Sequence, residues 1–266
     1  GAPPWSFHIL TPRLAGLLFP DDPVKGFFWI AAGSFAGTAA AIDLLLRRVG
    51  FQTTRAERLL GVGLFMATCT GAFMFRAYFM TDSLSYFLLA VSCAATLYGR
   101  DGVVVAATWL GVFNHETAAF VIPVWIVWNA RKYAIGALIE RFAFVFGAAI
   151  AGYILLQYTP FVLGFEPTRF NYLRFDNMLT LWRTTLSWLG TENIYYGLPI
   201  CVFLAYGPVW LVAVRGGVAA LTLSRDERRP LIALCALLVP VLSTVMTVDW
   251  RRGSQPLFPV VIALAG

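Results

Sequence analysis

Apolar residues in this chain gather into long runs separated by short polar connections. Gly26–Leu46, Leu59–Phe75, Met80–Tyr98, Phe142–Tyr158, Gly197–Val214 and Leu231–Val248 form such runs, and another begins at Leu257. A helix of about 20 apolar residues crosses the roughly 30 Å hydrocarbon layer of a bilayer. The stretch Val103–Trp128 differs, because the polar Asn114-His115-Glu116-Thr117 divides it. Each of its two pieces is about 11 residues long and rises only about 16 Å. The pattern predicts an all-α fold: a polytopic transmembrane helix bundle of about 7–9 segments, including one broken or re-entrant hairpin at 103–128. The whole of 1–266 reads as a single transmembrane domain, with interfacial segments at 1–25 and 159–196 on the outer side. The latter interleaves aromatic residues with Arg169, Arg174 and Arg183, a mixture that prefers the membrane surface. Within it, Asp176–Leu189 is expected to form an amphipathic helix on the outer face. The segment serves either as an anchoring belt or as an entrance for a lipid substrate.

Composition supports the membrane reading. Hydrophobic residues make up 59% of the 266 and charged ones 13%, with a mean hydropathy of +0.73. Soluble domains carry about 45–50% and about 25%, so this excess cannot fit into one core, and a soluble enzyme is excluded. The net charge of +6 comes without a long basic stripe, which argues against nucleic acid as a partner. More than half of the 20 Lys and Arg fall in the connections 47–58, 99–102, 129–141 and 215–230. These become the cytosolic connections if Gly1 lies outside and 103–128 returns to the side it came from. A single crossing by 103–128 would turn the Arg-rich 215–230 connection outward, against the positive-inside rule. Non-helical backbone at that depth must be buried in protein or line a wet cavity, so Asn114–Thr117 is expected to line a cavity.

Cys69, Cys93, Cys201 and Cys235 all fall inside apolar runs, form no CxxC pair and read as small core residues. His115-Glu116 lacks the second histidine of HExxH, which excludes a zinc protease. The Pro-rich, aromatic start is not a signal peptide. Both ends of the chain are expected to be cut from a longer protein.

Ionisable residues inside apolar runs are costly, and each is a candidate site. Asp43 stands four residues before Arg47, where an i,i+4 ion pair explains it without function. Glu116 either faces a polar cavity together with His115 or caps the second half-helix near its N-terminus. Asp82, in Thr81-Asp82-Ser83, is a site residue or a helix cap. Arg251 and Arg252 lie on the outer side, where orientation does not demand arginine. They either grip an anionic headgroup or snorkel to the interface. Arg76 reads as a snorkelling flank. On this topology Asp82, the 114–117 turn, Arg251-Arg252 and the N-terminal segment converge on the outer half of the bundle, which suits an anionic lipid headgroup bearing phosphate.

Four stretches carry a resemblance: Phe7-His8-Ile9-Leu10-Thr11-Pro12, Thr81-Asp82-Ser83-Leu84, Asn114-His115-Glu116-Thr117, and Arg251-Arg252-Gly253-Ser254-Gln255-Pro256-Leu257-Phe258-Pro259. Through them the chain resembles the GT-C superfamily of multi-pass membrane glycosyltransferases, which use polyprenyl-phosphate-linked sugars outside the membrane. It departs at His8 and His115, where related bacterial families commonly have Arg and Lys. The family's catalytic acid lies in a loop after its first helix, upstream of Gly1. Asp21 and Asp22 lie in the right outer region but outside that motif, so they and Glu116 are the candidate bases within this chain.

The resemblance implies a carboxylate deprotonating an acceptor hydroxyl, which displaces polyprenyl phosphate from the sugar. It implies that Arg251 and Arg252 hold the phosphate. It also implies that Asp82 and Glu116, the latter positioned by His115, bind sugar hydroxyls or a divalent metal. No cofactor motif appears elsewhere. The implied location is the bacterial inner membrane, with the bilayer, a polyprenyl-phosphate lipid and other membrane subunits as partners. A catalytically silent accessory subunit on the same scaffold is the alternative. A transporter ranks third, because no second broken segment matches the first.

Overall fold

The computed structural model describes residues 10–49, 54–68, 82–130 and 132–162, with 71, 72, 74, 211, 213–216, 218, 258, 259 and 261. Its elements are all helical. In chain order they are α1 (Leu10–Leu18), α2 (Pro23–Val49), α3 (Arg55–Ala67), α4 (Asp82–Leu97), α5 (Asp101–Asn114), the 3₁₀ segment η1 (Glu116–Phe120), α6 (Val121–Asn129) and α7 (Ile135–Val162). The expected helix at 176–189, the runs at 197–214 and 231–248, most of 159–196, and Arg76, Arg251 and Arg252 lie outside the described residues.

Local chemistry explains where the helices begin and end. Asp22 Oδ1 accepts from the Lys25 N–H at 3.1 Å, and Pro23 occupies the first position of α2, where a missing N–H costs nothing. Thr54 and Glu57 form a capping box at the start of α3. Between α4 and α5 the chain turns at Gly99 (φ 67°). There the Arg100 N–H reaches the Ala95 carbonyl at 2.8 Å and the Gly99 N–H reaches Thr96 at 3.2 Å. This is a Schellman closure, and glycine suits its left-handed position.

Packing fixes the directions. Asp43 on α2 meets Arg58 on α3, and Phe35 meets Phe65, so these helices are antiparallel. Gly37 of α2 packs against the Phe87 ring, and the Tyr98 hydroxyl, just past α4, donates to the Leu44 carbonyl at 3.2 Å. Helices α2 and α4 are therefore parallel. Arg141 of α7 pairs with Asp101 of α5. A Cβ on Gly152 would stand 2.6 Å from the Trp109 carbonyl oxygen and 3.1 Å from the Phe113 nitrogen. Helices α5 and α7 thus rise together, and their backbones come close at Gly152. Trp125 of α6 stacks near Phe142, close to the start of α7. The chain consequently goes out along α5 and back along α6. These contacts give the described helices α2–α7 two ends, one marked by Asp82 and the other, the arginine end, by Arg47, Arg58 and Arg141.

The core is a column of buried side chains that includes Ile42, Leu45, Phe65, Tyr86, Leu89 and Trp125. Phe258 closes on it, with ring centroids 5.2 Å from Phe65 and 6.1 Å from Tyr86.

Two described helices are long and apolar enough to cross a membrane: Pro23–Arg48, with hydropathy 1.5, and Ile135–Leu156, with hydropathy 1.7. Among the described residues, Leu59–Phe75, Met80–Tyr98 and Val103–Trp128 depart from uniform spans. Leu59–Phe75 is interrupted at Thr68, which adopts an extended backbone. Its hydroxyl donates to the Phe65 carbonyl at 2.6 Å and accepts from the Gly71 N–H at 3.2 Å, closing one helix and opening the next turn. Helices α4 and α5 have 16 and 14 residues, about 24 and 21 Å long. Helix α7 begins at Ile135, well before the expected Phe142, because Arg141 is turned to Asp101 while Leu138 and Phe142 pack on the core.

A candidate polar site where α5 breaks

The polar stretch Asn114–Thr117 closes α5, and the Asn114 and His115 side chains tie α5 to α1 and α4. Asn114, the last residue of α5, is fully buried. Its Oδ1 accepts from the Thr11 N–H at 3.1 Å and from the Thr11 hydroxyl at 2.6 Å, while its Nδ2 donates to Ser85 Oγ at 2.7 Å. Thr11 lies in the first turn of α1, where backbone N–H groups have no helical acceptor, so the amide supplies one. Ser85, Thr11 and Asn114 together satisfy one another in a site closed to water, as buried polar groups require.

His115 follows with an extended backbone, φ −163° and ψ 133°, which breaks the helix. Its Nδ1 accepts from the Thr117 N–H at 3.3 Å and stands 3.2 Å from the Thr117 hydroxyl, capping η1. A nitrogen that accepts a backbone hydrogen bond carries no proton. The neutral ring is therefore protonated at Nε2. That nitrogen is 3.5 Å from Asp82 Oδ1, with 12% of the His115 side chain and 5% of the Asp82 side chain exposed. The distance suits an electrostatic contact better than a short hydrogen bond. Asp82 is the first residue of α4, and the neighbouring Ser83 hydroxyl donates to the Met74 carbonyl at 2.7 Å, which holds this end of α4. Pro123 has no N–H to offer the Ala119 carbonyl, which favours the tighter 3₁₀ path of η1 before α6 begins.

Of the residues singled out from sequence, Asp82 and His115 meet directly, and Glu116, next to His115 in the chain, begins η1. The imidazole faces Asp82 and Thr117. Asp21 and Asp22 stand exposed on the α1–α2 turn, at the same end of the bundle, and Asp22 is the α2 cap. Asp43 belongs to the arginine end. Its Oδ2 is 2.6 Å from Arg47 Nη2 and its Oδ1 is 2.9 Å from Arg58 Nε, which makes it a structural carboxylate. The described donors do not fit a divalent metal. No group of three or more His, Cys, Asp or Glu comes together among the described residues, and both His115 ring nitrogens face protein groups.

Sequence reasoning missed Asn114 as the hub, Thr11 as its partner, and Ser85 altogether. The available signal was an amide at the break of an apolar stretch, where a buried polar group must find partners.

No family model matches the chain, and neither a curated protein nor a solved structure matches it.

Proposed function

We propose that the protein is a multi-pass membrane protein of the glycosyltransferase kind that binds a polyprenyl-phosphate-linked sugar at the Asp82 end of the bundle. The supporting observation is the buried Asp82–His115 contact, supported by Asn114 at a helix break. A carboxylate and an imidazole are expensive to hold inside apolar helices, and such groups mark substrate sites by default. In this reading 103–128 is a re-entrant hairpin whose tip faces outward, and the runs beyond α7 complete a bundle of about 7–9 segments in the bacterial inner membrane. Asp82 and Glu116 take sugar hydroxyls, Arg251 and Arg252 take the phosphate, and an outer carboxylate accepts the acceptor's proton. Within this chain that carboxylate is Asp21, Asp22 or Glu116.

The deciding experiment is retention of a polyprenyl-phosphate hexose by purified protein, read by native mass spectrometry, together with transfer of labelled sugar in vesicles. Binding should fall at least tenfold in Asp82→Asn and in Arg251→Ala with Arg252→Ala. Retention no better than that of an ordinary phospholipid would end the proposal.

A second reading, an accessory subunit without chemistry, draws on a different observation: the Ile135–Leu156 span is only 17% buried, leaving a long apolar face for a partner. It predicts co-purification with a larger membrane complex and no sugar transfer when Asp82 is intact.

A further inference from the structure

A groove of about 420 Å³ runs between α5 and α7 on the open side of the described helices. Trp109 and Phe144 form its walls, and small residues, among them Gly147, Ala148 and Ala151, form its floor. From 143 to 151 it extends about 12 Å along α7. One end is chemically marked. Arg141 precedes Phe144 by three residues and Ala148 by seven, so it lies on the groove face of α7. Asp101 precedes Val105 by four on α5, and the Arg141–Asp101 ion pair therefore sits at the arginine end of the furrow. Arg141 also lies over the Tyr133 ring, 4.4 Å from its centroid, and reaches the Tyr133 hydroxyl at 3.3 Å. Lys132 stands 4.5 Å over the Trp128 ring nearby. Around this mouth the described cations Arg100, Lys132 and Arg141 outnumber Asp101 and Glu140.

We propose that this groove is a specific site for one anionic glycerophospholipid, with an acyl chain laid between Trp109 and Phe144 and its phosphate at the Arg141–Tyr133 mouth. An apolar furrow that ends in a cation and a tyrosine has the polarity of such a molecule along its length. The Arg141 guanidinium, 44% exposed, can bridge Asp101 and a phosphate oxygen because it carries five donors. A phosphate without a chain would leave the furrow unfilled, and an apolar helix would leave the basic mouth unanswered. The site is at the opposite end from the Asp82–His115 contact. It rests on the membrane part of the proposed function and on none of its sugar chemistry.

The test uses the full chain in phosphatidylcholine vesicles doped with a minor fraction of brominated phosphatidylglycerol or brominated phosphatidylcholine. Quenching of Trp109 is read as the difference between the native chain and Trp109→Phe. The brominated anionic lipid should quench at about fivefold lower mole fraction than the zwitterionic one, the worth of one arginine at a membrane surface. Gly147→Phe should abolish that preference. A Cβ at 147 meets nothing within 4 Å, and Gly147 lines the groove, so the ring is introduced into the groove itself. Gly33→Phe, equally open but on α2, should leave the preference intact. Arg141→Gln should equalise the two lipids. Equal quenching by both lipids in the native chain, unchanged by Gly147→Phe, would overturn the site while leaving membrane insertion intact. Absence of Trp109 quenching while other tryptophans are quenched would mean that another segment or a second copy fills the groove, and would also overturn it. No quenching of any tryptophan would refute insertion itself.

Discussion

Replacing Asn114 by Ala should loosen the Asp82 end more than any other single truncation there. The amide makes three bonds to two other helices: two accepted from Thr11 and one donated to Ser85. Interhelical bonds between membrane helices contribute about 0.6 kcal/mol each on average and up to about 1.7 kcal/mol. The buried Thr11 and Ser85 groups left behind add to the cost, since an unsatisfied buried donor loses about 1–3 kcal/mol. The expected loss is therefore about 2–4 kcal/mol, read as unfolding free energy in mixed detergent micelles. Thr11→Val removes only the hydroxyl bond and should cost about 1 kcal/mol, because the backbone N–H of residue 11 still reaches the amide. In a double-mutant cycle the two changes should couple by about 1 kcal/mol. Hydrogen exchange at the Thr11 N–H should accelerate in Asn114→Ala and stay slow in Thr11→Val. A loss below about 0.5 kcal/mol for Asn114→Ala, or a coupling of zero, would show that this junction does not hold α1 against α4 and α5.

Further consequences concern packing and charge. Gly152→Ala would drive a Cβ into the Trp109 carbonyl and the Phe113 nitrogen, both backbone, and should destabilise by about 1–3 kcal/mol in the same unfolding assay. Gly147→Ala, in open space on the same helix, should be neutral or stabilising by up to about 1 kcal/mol. Asp43→Asn should cost no more than about 1 kcal/mol and less in high salt, because its pairs with Arg47 and Arg58 lie at a partly exposed end of the bundle. His115→Gln should keep η1 folded by circular dichroism yet lower retention of the polyprenyl-phosphate hexose, since glutamine cannot cap Thr117 and face Asp82 with the same geometry.

Much of the helical path was legible because composition and polar interruptions act locally. Four consecutive polar residues inside Val103–Trp128 could not continue an apolar helix, and the chain reverses there. Asp43 and Arg47 were readable as a pair from their spacing, although Arg58, which arrives from α3, was not. The Thr68 break was hidden because threonine is tolerated in apolar helices, and only its bonds to Phe65 and Gly71 turn it into a stop. The start of α7 was misplaced because Glu140 and Arg141 looked like connection, whereas a partner forty residues away takes Arg141 into the helix. Asn114 looked like one polar residue among four. Its partners are 103 and 29 positions distant, and no local pattern brings them together.

The hairpin is the feature on which the shared polar end depends, and its two feet can be located directly. In a chain whose native cysteines are replaced by serine, single cysteines at Arg100 and Lys132 flank the out-and-back segment, and one at Asp22 marks the opposite end. A membrane-impermeant maleimide should label Asp22→Cys in intact spheroplasts, and Arg100→Cys and Lys132→Cys only in inverted vesicles. Labelling of Arg100→Cys and Lys132→Cys from opposite sides of the membrane would contradict the account.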